Sequence, residues 1–163
     1  MKKIATLMGF VLLITLFSTA YASKLSESDV KKLIASIDQA VLNQNANMFS
    51  NFLSDDVTIT INIIMQGGSQ KITYSKQEYI SLIEEGWANS RDYKFNRTKL
   101  IITISGTSAI VNAEGTESTI MDVQGRDVSM TSESKETLTI KLIDNKLLIT
   151  NIIGESKFDV EPL

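Results

Sequence analysis

The chain has 163 residues, with 16 basic and 19 acidic side chains, a single proline, and neither cysteine nor histidine. Without thiols there are no disulfides, thiolate metal clusters or thiol nucleophiles; without imidazoles, ordinary serine triads and His-based zinc sites are excluded. The net charge of −3 argues against electrostatic binding of nucleic acid, which calls for a basic surplus or patch.

At the start, Lys2 and Lys3 precede an uncharged apolar run, Ile4 to Phe17. Ser18-Thr19-Ala20-Tyr21-Ala22 then ends in a small-x-small pattern. This is the grammar of an export signal, with cleavage expected between Ala22 and Ser23. The competing reading is a membrane anchor, but the apolar core supplies about 14 residues where a span needs about 20. The expectation is therefore a cleaved signal over residues 1–22 and one domain over 23–163, working in the periplasm or secreted. Removing Lys2 and Lys3 from the 16 basic side chains leaves 14 against 19 acidic ones, a mature charge of −5. A domain of that size buries enough surface to fold around one core without disulfides.

Next, Ser26 and Asp29 form a helix-starting pair, and Val30, Leu33, Ile34, Ile37 and Val41 mark one apolar stripe. That spacing predicts a helix with Lys31, Lys32, Asp38 and Gln39 facing water. Met48, Phe49, Phe52 and Leu53 suggest a short second helix, and Asp55-Asp56 reads as a helix-to-strand turn. Alternation from Val57 to Ile64 predicts a half-buried strand; Gly67-Gly68 turns it into a short return strand around Ile72 to Tyr74. Gly67-Gly68 lacks the lysine and following helix of a phosphate loop. Ser75 and Glu78 make the S-x-x-E capping box of a third helix, with Tyr79, Ile83 and Trp87 on one face. Arg91 to Lys99 reads as a solvated basic loop. Strands follow over Leu100–Ser105, Ala109–Met121, Val128–Ile143 and Leu147–Ile153, separated by turn-forming residues. Pro162 is expected in a frayed tail.

This order of elements resembles the nuclear transport factor 2-like superfamily, in its SnoaL-like and related exported bacterial branches. The stretches that carry the resemblance are Asn47–Val57, the helix Ser75–Trp87, Gly106–Val111 and Asn145–Asn151, within a span from Leu25 to about Ser156. It implies an α+β cone: a strongly curved antiparallel sheet wrapped around about three N-terminal helices, with a pocket at the open end. Proteins of this kind include isomerases, dehydratases, epoxide hydrolases, polyketide cyclases, noncatalytic binding modules and immunity proteins, so the fold alone says little about function. Many catalytic ones place Asp, His, Tyr or Arg on the pocket wall. Here there is no His, and the last strand, where one often appears, reads Asn151-Ile152-Ile153. That departure weighs against hydrolysis and isomerisation. Dimerisation through the sheet face is common among such proteins, and Thr137, Thr139 and Lys141 would permit it.

Strand parity names the pocket candidates. Leu138, Ile140 and Leu142 should face the core, which puts Glu136, Ser134 and Ser132 on the same side. On the preceding strand both sides carry apolar residues, so Glu114 and Glu117 are not assigned by parity. The sharpest expectation has Glu136, and with it Glu114, pointing into a cavity lined by Tyr79, Trp87 and Asn151. A carboxyl there would have a raised pKa and could bind a polar group or act as a base. The competing reading leaves the glutamates at the rim, since Glu133, Lys135 and Glu136 must divide between two faces. No metal site and no cofactor are expected. The favoured function is noncatalytic binding of a small amphipathic ligand or a protein partner. The alternatives are a lyase or isomerase using Glu136, and a toxin-immunity protein.

Overall fold

The computed structural model describes residues 24–163; the expected signal and its expected cleavage between Ala22 and Ser23 lie outside the described residues. Helix α1 (Glu27–Leu42) begins where the Ser26 hydroxyl accepts the Asp29 N–H, and it buries Val30, Leu33, Ile34, Ile37 and Ala40. After it comes α2 (Ala46–Ser50), capped by the Asn45 side chain, which accepts the Met48 N–H at 2.8 Å. The second helix is shorter than its apolar residues suggest, because Leu53 already belongs to β1 (Leu53–Met65). β2 (Gly68–Tyr74) pairs back on β1, and α3 (Lys76–Ala88) opens with both halves of the Ser75–Glu78 capping box in place.

Four strands complete the chain: β3 (Ser90–Ser105), β4 (Ser108–Val123), β5 (Arg126–Ile143) and β6 (Lys146–Pro162). Their turns carry residues with positive φ, including Gly106 and Gly125, and the pair Asp144-Asn145 (φ 47° and 61°). Such pairs match the right-handed twist of the strands they join. The sheet order is β2-β1-β6-β5-β4-β3, with every pair antiparallel except β1 and β6. That one parallel pairing brings the first strand against the last and makes the sheet a curved, unclosed, mixed one.

The core lies between α1 and the inner sheet face. Ile34, Ile59, Val111, Ile140 and Ile149 are essentially without exposure there, and each stabilises the fold by about 1.5–3 kcal/mol through burial. Two expectations need correction. Residues Arg91 to Lys99 are not a solvated loop but the first half of β3. Pro162 is not frayed: it pairs with Val128 at the end of β6, and the Leu163 N–H donates to the Asp127 carbonyl at 3.2 Å. The long strands therefore extend beyond the apolar core, where α1 reaches β3 through Asp38 and Arg97 and α3 lies over β1 and β2.

Candidate functional site

Under α3 the sheet encloses a cavity of about 240 Å³. α3 has no fully buried residue: Tyr79 and Ile83 pack partly against the core, and with Trp87 they line this space. Tyr79 is held by Phe49 and Tyr74, with ring centroids 6.2 and 6.1 Å away in tilted arrangements. The opposite wall comes from inward positions of the long strands: Tyr93, Phe95 and Arg97 on β3, Glu117 on β4, and Ser132, Ser134 and Glu136 on β5.

Two inward-facing glycines keep the space open. Gly115 lies opposite Arg97 and Ser134, and Gly154 lies opposite Glu136. A Cβ on Gly115 would meet the Phe95 ring at 3.1 Å, and one on Gly154 would meet Ile61 Cδ1 at 2.9 Å. Glycine within a strand marks such a close approach.

Arg97 does not offer its charge to the cavity. Its Nε donates to both carboxylate oxygens of Asp38 on α1, at 3.0 Å each, and its guanidinium lies 5.2 Å from the centre of the Phe95 ring. Asp38, expected to face water, is instead the partly buried half of this ion pair. Glu136 has no such partner. Burial raises its pKa, Arg97 pulls it back down and Asp38 adds to the rise. Glu117 is raised as well, first by burial and then by the charge of Glu136, while a hydrogen bond from the Tyr93 hydroxyl opposes the shift. The Trp87 indole N–H in turn donates to Tyr93. Burial pushes both Tyr79 and Tyr93 well above the ordinary phenol range, helped by Glu136 and Glu117 at Tyr79 and by Glu117 at Tyr93, so both remain neutral donors.

Of the five pocket residues named from sequence, the cavity brings together Tyr79, Trp87 and Glu136. Glu114 lies on the other face of β4, since Ala113 and Gly115 point inward, and Lys99 Nζ donates to it at 2.9 Å. That ammonium holds its carboxyl below the usual range. Asn151 also faces out. A register irregularity lets Ile140 pair with Ile149 and Thr139 with Asn151, so both Ile149 and Ile152 face inward and Asn151 is turned away. Glu117, Tyr93 and Arg97 are members the sequence reading did not assign. Among the described residues no cluster of three or more Asp or Glu could hold a metal.

No protein-family model and no curated protein sequence matches the chain. Solved structures do. A nuclear transport factor 2-like protein of unknown function from Pseudomonas putida KT2440 matches with a TM-score of 0.60 at 15% identity, over 79% of this chain and 84% of that one. A type 2 hexachlorocyclohexane dehydrochlorinase gives 0.62 at 14% identity, over 83% and 87%. This chain has the nuclear transport factor 2-like fold. A ketosteroid isomerase-like protein from Erwinia carotovora atroseptica SCRI1043 adds a third likeness, with a TM-score of 0.57 at 10% identity over 79% and 94%.

Within a nuclear transport factor 2-like cone, an inward glycine on the last strand has a measurable consequence. Gly154→Val places a branched side chain against Ile61 and beside Glu136. The overpacking should cost about 1–3 kcal/mol in urea denaturation, and the cavity should lose capacity for any ligand. A variant as stable as the parent would show that Ile61 yields freely and that Gly154 does not shape the space.

Proposed function

We propose that the chain is an exported domain that binds a small amphipathic molecule in the cone and returns it unchanged. The observation that carries this reading is the cavity itself, whose walls are mostly Ile, Leu, Tyr, Trp and Phe and whose carboxyls, Glu117 and Glu136, sit with Ser132 and Ser134 on β4 and β5. Binding sites are built this way: apolar area supplies affinity, and a few placed polar groups fix orientation. At about 240 Å³ the space suits a single ring or short chain, since recognised ligand pockets begin at about 300 Å³. The absence of His and Cys supports binding over turnover.

A second reading draws on one specific observation. Glu117 and Glu136 share a cavity and both have raised pKa values, which is how a carboxyl becomes a proton acceptor near neutral pH. A lyase or isomerase using Glu136 is the corresponding activity. Native mass spectrometry of the mature protein, followed by incubation with the ligand it carries, separates the two. A retained molecule recovered unchanged supports binding. Its conversion to a product, abolished by Glu136→Gln, would replace binding with catalysis. No retained mass and no thermal shift with any small amphiphile would overturn both.

A further inference from the structure

We propose that the cavity under α3 takes a small organic amine, bound as its ammonium ion with an apolar ring or chain as its body. This rests on the reading of the cavity as a ligand site and adds the chemical class of the ligand. The first support is the charge inventory. Among the described residues Arg97 is the one cationic side chain on the cavity wall, and its bidentate pairing with Asp38 offsets much of its charge. Among the described residues neither Glu117 nor Glu136 forms a salt bridge, although the charge of Arg97 reaches Glu136. A ligand carboxylate or phosphate would meet two acids and a cation already paired with Asp38; an ammonium would meet two acids.

The second support is shape and donor matching. Trp87, Tyr93 and Phe95 surround the Glu117 side of the cavity, and aromatic faces attract a cation strongly once water is removed. An ammonium carries three donors and no acceptor. The stripe facing it offers the two carboxyls with the Ser132 and Ser134 hydroxyls between them, and Ser134 spends its own proton on the Gly115 carbonyl at 3.4 Å. A neutral alcohol would satisfy fewer of these acceptors.

The arrangement couples binding to proton release. The groups facing the two carboxyls are Asp38 from α1, Tyr74 from β2, Tyr79 from α3, and Tyr93 and Arg97 from β3. Burial raises the protonation of both acids in the empty cavity, with the charge of Glu136 adding to the rise of Glu117, and a bound cation opposes that. Affinity for an amine should therefore rise with pH through the carboxyl range.

Three probes of one shape decide the matter: phenethylamine, 2-phenylethanol and 3-phenylpropionate, titrated calorimetrically into the full domain at pH 7. Phenethylamine should bind about tenfold or more tightly than the alcohol, and the carboxylate should not bind. Glu117→Gln and Glu136→Gln should each lower amine affinity about tenfold and alcohol affinity by less, with a cooperative thermal transition showing that each variant is folded. Titration in buffers of different ionisation enthalpy should report protons leaving the protein. Alcohol binding equal to or tighter than amine binding, or preference for the carboxylate, would overturn the amine proposal and leave the cavity reading standing. Binding of none of the three by the parent protein would overturn both.

Discussion

Replacing Arg97 with Met is expected to destabilise the domain by up to about 3–5 kcal/mol, the effect of removing one partner from a fully buried ion pair. The pair is partly buried: the Arg97 and Asp38 side chains are 13% and 24% exposed. It also joins two layers, because Asp38 belongs to α1 and Arg97 to the half of β3 that lies beyond the apolar core. Losing Arg97 leaves Asp38 and Glu136 facing one another across the cavity edge, and Arg97 is the group that holds Glu136 down. Asp38→Asn should therefore cost less, since the guanidinium can still face Glu136. The pair of changes Asp38→Leu with Arg97→Met should recover most of the loss, because apolar replacement of both partners removes two desolvation penalties at once. Urea denaturation of the four proteins tests the order. An Arg97→Met protein within about 0.5 kcal/mol of the parent, the range of an ordinary surface substitution, would show that the pair does not secure α1 to the sheet.

That such a pair was not visible in the sequence has a physical cause. In β3, Phe95 and Arg97 face inward at odd positions, while Leu100, Ile102 and Ile104 face inward at even ones. The register shift between Arg97 and Lys99 inserts one extra residue, Thr98, and flips the parity there. A second irregularity follows Arg91, next to Asp92 with φ 52°. Read without those bulges, the segment has no period and looks like a loop. The same device misled the placing of Asn151, where the bulge lies in β6. Glu136 was legible because β5 keeps its alternation from Ser132 to Ile140 without interruption. Glu117 was not, because Ile110 on the outer face of β4 is 39% exposed and its apolar character masks which side is the core. Gly115 and Gly154 carried a usable signal: each is a lone glycine inside a strand pattern, which points to close approach by another group. The parallel pairing of β1 with β6 left no local trace, because strand partners are chosen by packing between distant segments.

Converting Glu117 and Glu136 together to Gln is expected to change how stability depends on pH. Both carboxyls have folded pKa values above the unfolded one, which is about 4.3 for glutamate. Between the two values the native state holds more protons than the unfolded state, so stability falls as pH rises. The contribution of the two acids is fully present below about pH 4.3 and is lost as pH climbs through their raised folded values. Glu78 and Glu114 act in the opposite sense. Their pKa values are lowered by Ser75 and Lys99, and what they contribute is present above the unfolded value and disappears toward acid. Because those two are unchanged in the double variant, they cancel when variant and parent are compared. The two denaturation midpoints should nearly coincide at pH 4 and separate progressively toward pH 8, with the double variant the more stable there by more than the about 0.5 kcal/mol of a neutral surface change. Gln keeps an acceptor for the Tyr93 hydroxyl, so lost hydrogen bonding does not explain a gain. A difference that stays constant from pH 4 to pH 8 would mean that neither acid is raised by its surroundings. The cavity then takes on a definite meaning: as pH rises the unliganded parent loses the contribution of two buried acids that form no salt bridge among the described residues, and phenethylamine, by supplying a cation, should bring its midpoint up toward that of the double variant while leaving the variant where it was.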